Sequence, residues 1–182
     1  MLITFIKSFF PWILFFIFAG NIQHQLDTAI VIAVIAAVIV EFKTLKKGFI
    51  WTWGTLLFFI CLLITIVFLK INWITDYLWL ISNGILAIIA WLSFFIHQPF
   101  TLQFAKEQVA QEKWQHPIFL KINYILTAVW GLIFLLNMIL HLLLIHYPAT
   151  SGWFYKIIFY IPCIFGMGFT VWFPKYYRIK HR

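Results

Sequence analysis

The stretch HQPFTLQFAKEQVAQEKWQHPIFLKINY, residues 97–124, is the one long polar interval in a chain that is 64% hydrophobic and 10% charged. It holds two of the five acidic residues and two of the six histidines, and long apolar runs lie on both sides of it. Soluble domains are usually about 45–50% apolar and about 25% charged. A chain this apolar needs lipid as its solvent. The sequence therefore predicts an all-α, polytopic transmembrane helical bundle.

Six apolar runs reach or approach the roughly 20 residues that a helix needs to cross the hydrocarbon layer. The predicted spans cover about residues 3–19, 26–42, 49–69, 73–96, 117–145 and 153–173. No linker or low-complexity tail separates them, so we expect a single integral membrane domain over residues 1–182. Lys7, Ala19 and Gly20 also fit a cleaved signal peptide, but Pro11 and the bulky residues near the cleavage point favour a retained first span.

The lysines and arginines predict the orientation of the spans. If six spans start from a cytoplasmic N-terminus, only Lys70 and Lys156 lie outside. The other eleven lie on the cytoplasmic side: Lys7, Lys43, Lys46, Lys47, Lys106, Lys113, Lys121, Lys175, Arg178, Lys180 and Arg182. This is the asymmetry of the positive-inside rule. It predicts a multi-pass protein of the bacterial inner membrane with both termini cytoplasmic. The formal charge of +8 is then explained by anionic lipid headgroups rather than nucleic acid.

The same topology places the polar interval in the cytoplasm, between the fourth and fifth spans. Pro99 suits the first turn of a helix, and nothing after it breaks a helix before about Gln115. We therefore expect a cytoplasmic helix whose residues Gln103, Glu107 and Gln111 form one row. A structural helix that ties the two spans together is the favoured interpretation. The alternative is a contact site for a partner or ligand, with these candidates: His97, Gln103, Glu107, Gln111, Trp114, Asn137 and His141.

The histidines are the main candidates for redox or metal chemistry, because Cys61 and Cys163 lie inside apolar runs and fit packing better than a disulfide or metal pair. Asn137 and His141 are four residues apart on the predicted fifth span and share a helix face. His24 and His146 are predicted on the same outer side as His141, which leaves a metal or haem site as an alternative. However, His146 lies about 140° further round the helix than His141, so the two do not form a two-histidine motif. We expect no bound metal or cofactor and no catalytic residues.

Features of a transporter are present but weak. Asp27, Glu41 and Asp76 fall at span ends, whereas ion-coupled transport commonly places an ionisable residue inside the bundle. The segment 68–74 nearly repeats at 119–125 in the opposite predicted orientation, as in inverted-repeat transporters. So short a match arises easily by chance in a biased composition. In the sixth span, Pro162 predicts a kink, and Gly166 and Gly168 predict close helix packing.

Several residues of the second half carry a resemblance to a known family. Gln98-Pro99, Trp114, Lys121-Ile122-Asn123, Ala128-Val129-Trp130 and Asn137 resemble the pattern of the intracellular septation protein A family. Members of that family are small bacterial inner-membrane proteins with five expected spans, one fewer than the six predicted here. The resemblance implies a structural role in the envelope or in division and carries over no catalytic residue.

The sequence as a whole favours a non-enzymatic inner-membrane protein. It would act as an envelope scaffold or accessory subunit through helix packing and a basic cytoplasmic face. The expected partners are the bilayer with its anionic headgroups, and another membrane protein or a second copy of the chain, but no nucleic acid. The alternatives are a small transporter or channel, and a membrane-embedded metal or haem redox protein that uses His24, His141 and His146.

Overall fold

The computed structural model describes residues 7–19, 23–147 and 153–180, with side chains for 7–19, 25–147 and 159–180. These residues form helices and no strand, so the all-α prediction is confirmed. The α-helices are α1 Phe10–Phe18, α2 Gln23–Val40, α3 Phe42–Lys46, α4 Ile50–Leu62, α5 Trp73–Asp76, α6 Leu78–Phe95, α7 Phe100–Lys106, α8 Pro117–His146 and α9 Trp153–Lys180. A π-helical segment, Leu63–Phe68, continues α4, and a short 3₁₀ helix, Gln111–Lys113, precedes α8.

Three described helices are long and apolar enough to cross a membrane: Ile50–Phe68, Leu78–Phe95 and Pro117–His146. They correspond to the third, fourth and fifth predicted spans. Residues Gln25–Val40 form a shorter apolar helix. The first predicted span begins among residues 1–6 and its exit includes Gly20, and these lie outside the described residues. The fourth predicted span is broken at Tyr77, whose N–H bonds to the carbonyl of Ile74 only three residues back and so ends α5.

The contacts divide the chain into two compact units between Tyr77 and Leu78. In unit 1, α1 and α4 run parallel. The Trp51 indole donates to the Ser8 carbonyl over 3.1 Å, and the Trp12 indole donates to the Thr55 hydroxyl over 3.0 Å. Trp12 also stacks on Phe58 with ring centroids 5.1 Å apart. Both indoles are buried, and their N–H groups have partners, as buried indoles require.

Helix α2 runs antiparallel to α4 in the same unit. Asp27, near the start of α2, pairs with Lys70, just after the π-helical end of α4, over 2.9 Å. At the other end, α2 stops at Val40 and Glu41 lies in the turn before α3. Glu41 is therefore outside the helix, although the predicted span 26–42 included it.

Helix α8 is central to unit 2 and packs antiparallel on α6 and α9. On the α6 side, Gly131 accommodates the Trp91 indole, which would lie 2.9 Å from a Cβ at that position. On the α9 side, a Cβ at Gly166 would lie 2.7 Å from Cδ1 of Ile133. The prediction of close packing at Gly166 is thus confirmed. It is wrong at Gly168, where a Cβ would meet no described atom within 4 Å.

The near-repeat in the sequence is not repeated in the structure. In segment 68–74 the chain leaves the π-helix, passes Lys70 with a φ of 53°, and starts α5 at Trp73. Segment 119–125 lies wholly within α8. The two segments therefore adopt different backbone conformations and do not form a structural repeat.

The polar interval does not form one helix. Helix α7 ends at Lys106, and only the short 3₁₀ helix follows before α8. The prediction that Gln103, Glu107 and Gln111 share one helical row is therefore wrong. Five of the seven residues of α7 are buried. Short helices are stable mainly through such buried faces, and the polar residues after Lys106 have no apolar face to bury.

Candidate functional site

The cations of unit 1 gather at one end. Lys43 and Lys46 lie on α3, Lys47 follows it, and the contact between Ser8 and Trp51 brings the start of α1 to this end. Lys7, Lys43, Lys46 and Lys47 lie there at the surface and form what we call the cationic end of unit 1. Lys70 lies at the opposite end, where it is paired with Asp27.

Unit 2 has the same asymmetry. The Lys121 ammonium lies 5.8 Å from the ring centroid of Tyr177, which brings the start of α8 to the end of α9. Helix α7 packs against the same part of α8, where the hydroxyl oxygens of Thr101 on α7 and Thr127 on α8 are 2.8 Å apart. The cationic end of unit 2 consists of Lys106, Lys113, Lys121, Lys175, Arg178 and Lys180. Each unit therefore carries its described cations mainly at one end of its apolar helices.

Five of the predicted contact residues lie at or near this cationic end. His97 is exposed in the turn after α6 with a φ of 61°, and Gln103 is half-buried on α7. Glu107 and Gln111 are exposed, the first at the end of α7 and the second in the 3₁₀ helix. The partly buried Trp114 indole donates to the Val109 carbonyl over 3.1 Å, and the Lys106 ammonium lies 5.2 Å from its ring centroid. These side chains are brought to one region but not into one row.

The other two predicted residues, Asn137 and His141, lie together on α8, far along the helix from Lys121. The Asn137 amide donates to Sγ of Cys163 over 3.6 Å rather than to His141. The His141 ring stacks on Phe159 with centroids 3.8 Å apart, and Trp79 lies on a near-parallel plane at 6.1 Å. The arrangement holds the imidazole between aromatic rings, as packing residues are held.

Asn137 retains an unused acceptor. Its side chain is 4% exposed, and its Oδ1 meets no hydrogen-bond donor among the described residues. The imidazole of His141 does not meet that acceptor. In the part of the chain that the structure describes, no three His, Cys, Asp or Glu side chains come together in a group that could hold a metal ion. His146 is exposed, with Nδ1 3.0 Å from the Leu142 carbonyl, and the His24 side chain lies outside the described side chains.

Most interior polar side chains join helices to one another. The Trp130 indole on α8 donates to Thr170 on α9 over 3.0 Å, and Thr170 in turn donates to the Gly166 carbonyl over 2.7 Å. The Thr101 hydroxyl on α7 donates to the Asn123 carbonyl on α8 over 2.8 Å. Such bonds stabilise helix pairs in an apolar medium.

Glu41 is a functional candidate that the sequence did not indicate. It lies at the end of a predicted span, where an acid is expected to be exposed to water. In the structure it is 3% exposed, and neither carboxyl oxygen has a hydrogen-bond partner among the described residues. Burial raises the pKa of the Glu41 carboxyl from 4.5 to about 8, and the nearby Thr52 hydroxyl opposes this only in part. The signal in the sequence is a lone acid directly after the apolar run 29–40.

Comparisons of the chain with protein-family models, with curated proteins and with solved structures find no match. Its functional interpretation therefore depends on the residues and contacts of the chain itself. The two cationic ends and the buried Glu41 carboxyl are the features that ordinary helix packing does not require.

Proposed function

We propose that the protein is a multi-pass inner-membrane protein that acts as a non-enzymatic envelope scaffold or accessory subunit. The observation that carries this proposal is the one-ended distribution of cations in each unit. In unit 1 it comprises Lys7 and the lysines of residues 43–47, and in unit 2 it comprises the cations of residues 106–121 and 175–180. A basic end of this kind recognises the anionic surface of the cytoplasmic leaflet.

The orientation follows from the same observation. Basic residues next to membrane spans are retained on the cytoplasmic side, so both cationic ends would face the cytoplasm. In this proposal Lys7 supports a cytoplasmic N-terminus, and Arg178 and Lys180 support a cytoplasmic C-terminus. Six spans satisfy this arrangement: the three long apolar helices, the shorter helix α2, and the spans that include α1 and α9.

The interior polar contacts favour a scaffold over a transporter. The bonds from Trp12 to Thr55, from Trp130 to Thr170 and between Thr101 and Thr127 hold pairs of helices together. Side chains used in this way are not available to line a substrate path. The proposed action is therefore through the outer surface of the bundle, on lipid headgroups and on a membrane-protein partner or a second copy of the chain.

The resemblance to the intracellular septation protein A family points to the same kind of role and stays a prediction. The contact residues at the cationic end of unit 2 are then the first candidates for holding the partner. Among them, Glu107 and Gln111 are exposed and polar, and neither is needed to cover the buried face of α7. We infer that they are contact residues rather than ligands for a metal or substrate.

Topology is tested with an impermeant thiol reagent on intact cells, in a background in which Cys61 and Cys163 are replaced by serine. We expect Lys70→Cys to be labelled in intact cells, and Lys106→Cys only after the membrane is permeabilised. Labelling of Lys106→Cys in intact cells would overturn the orientation.

The scaffold role is tested by purification in mild detergent. The expected result is a stable partner or self-association that Glu107→Lys or Gln111→Lys abolishes and Lys70→Gln does not. Purification as a monomer with no partner contradicts the role.

A further inference from the structure

Glu41 lies at the corner where α2, α3 and α4 meet, and the backbone around it is closely held. The N–H of Leu45 bonds to the Glu41 carbonyl over 2.8 Å, and the N–H of Phe49 bonds to the Thr44 carbonyl over 3.2 Å. The Trp53 indole donates to the Leu45 carbonyl over 3.0 Å. We call residues 41–53 the Glu41 corner. These hydrogen bonds hold the backbone that carries the buried carboxyl.

The hydroxyl groups of the corner give a carboxylate little stabilisation, because their hydrogens are directed elsewhere. The Thr44 hydroxyl donates to the Glu41 backbone carbonyl over 2.8 Å, and the Thr52 hydroxyl donates to Thr44 Oγ1 over 3.2 Å. Each hydroxyl has one hydrogen and two acceptor lone pairs. The Thr52 hydrogen is directed at Thr44, so the stabilisation that Thr52 gives an ionised Glu41 is outweighed by the cost of burial. An ionised carboxylate accepts but does not donate. A protonated carboxyl is able to donate, and Thr52 offers it an acceptor.

No countercharge within the described part of the chain reaches the carboxyl either. Lys43, Lys46, Lys47 and Lys7 all lie at the surface, whereas Glu41 is buried. Helix α4, Ile50–Leu62, contains no Asp, Glu, Lys, Arg or His. Asp27, the one acidic residue of α2, lies at the opposite end of that helix from Glu41 and pairs with Lys70. Burying an ionised group without a partner is strongly unfavourable.

We propose that Glu41 is a proton-binding site, at which the folded corner holds a neutral carboxyl and opens when that proton is released to water. Release leaves one negative charge on the carboxyl. That charge draws water into the corner, or draws the side chain towards the lysines of the cationic end of unit 1. Either movement requires the bonds around Thr44 and Trp53 to loosen. The proton site is independent of the scaffold role, since it needs no partner and no particular orientation in the membrane.

The protonation state is tested by infrared spectroscopy on the full chain in lipid nanodiscs. Asp76, Glu107 and Glu112 are exposed, and Asp27 is ion-paired. Glu41 is therefore the one acid expected to show a carboxylic acid C=O band at about pH 7. We expect that band to disappear as the pH is raised, to be absent in Glu41→Gln, and to persist in Glu107→Gln. Its absence from the wild-type protein, or its persistence in Glu41→Gln, overturns the proposal.

The same titration distinguishes a proton site from a metal-cation site. The pH titration of the C=O band is carried out in sodium, in potassium and in a large organic cation. We expect the same midpoint pH in all three salts. A midpoint that moves with the concentration of sodium or potassium means that the carboxyl is neutralised by a metal cation instead, and the proton site is then wrong.

Opening of the corner is tested by amide hydrogen exchange of residues 41–53 in wild-type protein and in Glu41→Gln. The glutamine is neutral and of nearly the same shape, so this variant keeps the closed corner and serves as the folded reference. The two proteins are compared at the same pH, which removes the intrinsic pH dependence of exchange. We expect equal rates at about pH 6 and at least several-fold faster exchange in the wild type at about pH 10, well past the titration. Equal rates at the higher pH contradict the opening.

Discussion

The Trp130 indole and the Thr170 hydroxyl are 3.0 Å apart, and both side chains are buried between α8 and α9. The Thr170 hydroxyl accepts a hydrogen bond from the indole N–H and donates one to the Gly166 carbonyl. Both polar groups are thereby satisfied within an apolar bundle. This contact is one of those that hold the two helices in register, and it places Gly166 beside Trp130.

Replacing Thr170 by valine removes the acceptor and keeps the shape. We expect Thr170→Val to lower the free energy of unfolding by about 1 kcal/mol, since interhelical hydrogen bonds in membranes contribute roughly 0.6 to 1.7 kcal/mol. Thr170→Ser keeps the hydroxyl and is the matched control. The measurement is denaturant unfolding in mild detergent, with tryptophan fluorescence as the signal. Equal stability of the valine and serine variants would show that the bond contributes nothing.

The glycines of unit 2 allow a graded test of helix packing. A Cβ at Gly131 would lie 2.9 Å from the rigid Trp91 indole, so we expect Gly131→Ala to destabilise the protein by about 1–3 kcal/mol. Gly168 has nothing described within 4 Å. Gly168→Ala should therefore be neutral, or stabilising by up to about 1 kcal/mol through helix propensity. Thermal unfolding in detergent ranks the two, and the opposite order would refute the packing of α6 on α8.

The long apolar helices were predictable, because a run of about 20 apolar residues can adopt few structures other than a helix in lipid. The runs 49–69 and 117–145 match Ile50–Phe68 and Pro117–His146 closely. The end of α7 was not predictable from local pattern. Residues up to Gln115 are all compatible with a helix, and the chain leaves it because only residues 100–105 have an apolar face to bury. The Trp114 indole, which bonds to the Val109 carbonyl, stabilises the turn that replaces it.

The candidate sites, like the helices, were only partly predictable from the sequence. The shared face of Asn137 and His141 follows from helix geometry. Their partners do not, because Cys163 and Phe159 meet them only through the antiparallel register of α8 and α9. The burial of Glu41 was not predictable from the sequence, for a related reason. Its position at a span end suggests exposure, but its burial depends on α4 folding back so that Thr52 faces it.

Glu41 should make the stability of the protein depend on pH. Its pKa is raised from 4.5 to about 8 in the folded protein. Below about pH 4.5 both the folded and unfolded states are protonated, and the folded state has its full stability. Between about pH 4.5 and 8 the unfolded state ionises first, so stability falls as the pH rises, by at most about 5 kcal/mol, and then levels off.

The comparison that isolates this effect is between wild type and Glu41→Gln. The free energy of unfolding of both is measured in detergent from about pH 5 to 9. We expect the difference between them to grow in favour of the glutamine variant as the pH rises. Glu107→Gln, at an exposed acid, should follow the wild type. A pH profile that is the same with and without the Glu41 carboxyl would show that folding does not raise the pKa of this group.

His141 is predicted to act through the packing of its ring and not through its ring nitrogens. His141 stacks on Phe159 at 3.8 Å and faces Trp79, so His141→Phe should preserve the free energy of unfolding. His141→Ala removes the stack and should lower it by about 1 kcal/mol, the scale of an aromatic pair. If phenylalanine is as harmful as alanine, the imidazole nitrogens have a role that packing does not explain.

The cationic end of unit 2 should hold anionic lipid. Replacing Lys175, Arg178 and Lys180 together by glutamine removes three charges from the end of α9 and leaves the apolar part of the helix unchanged. Each basic residue near an anionic surface contributes about 1 kcal/mol, so we expect the triple variant to retain several-fold less anionic lipid. The measurement is the ratio of anionic to zwitterionic lipid that copurifies from mixed vesicles. Lys70→Gln removes a cation that is paired with Asp27 at the far end of unit 1, and it should leave the ratio unchanged. If Lys70→Gln lowers the ratio by at least its share of the charge removed, one charge against three, retention follows net charge, and the cationic end is not a lipid-binding surface.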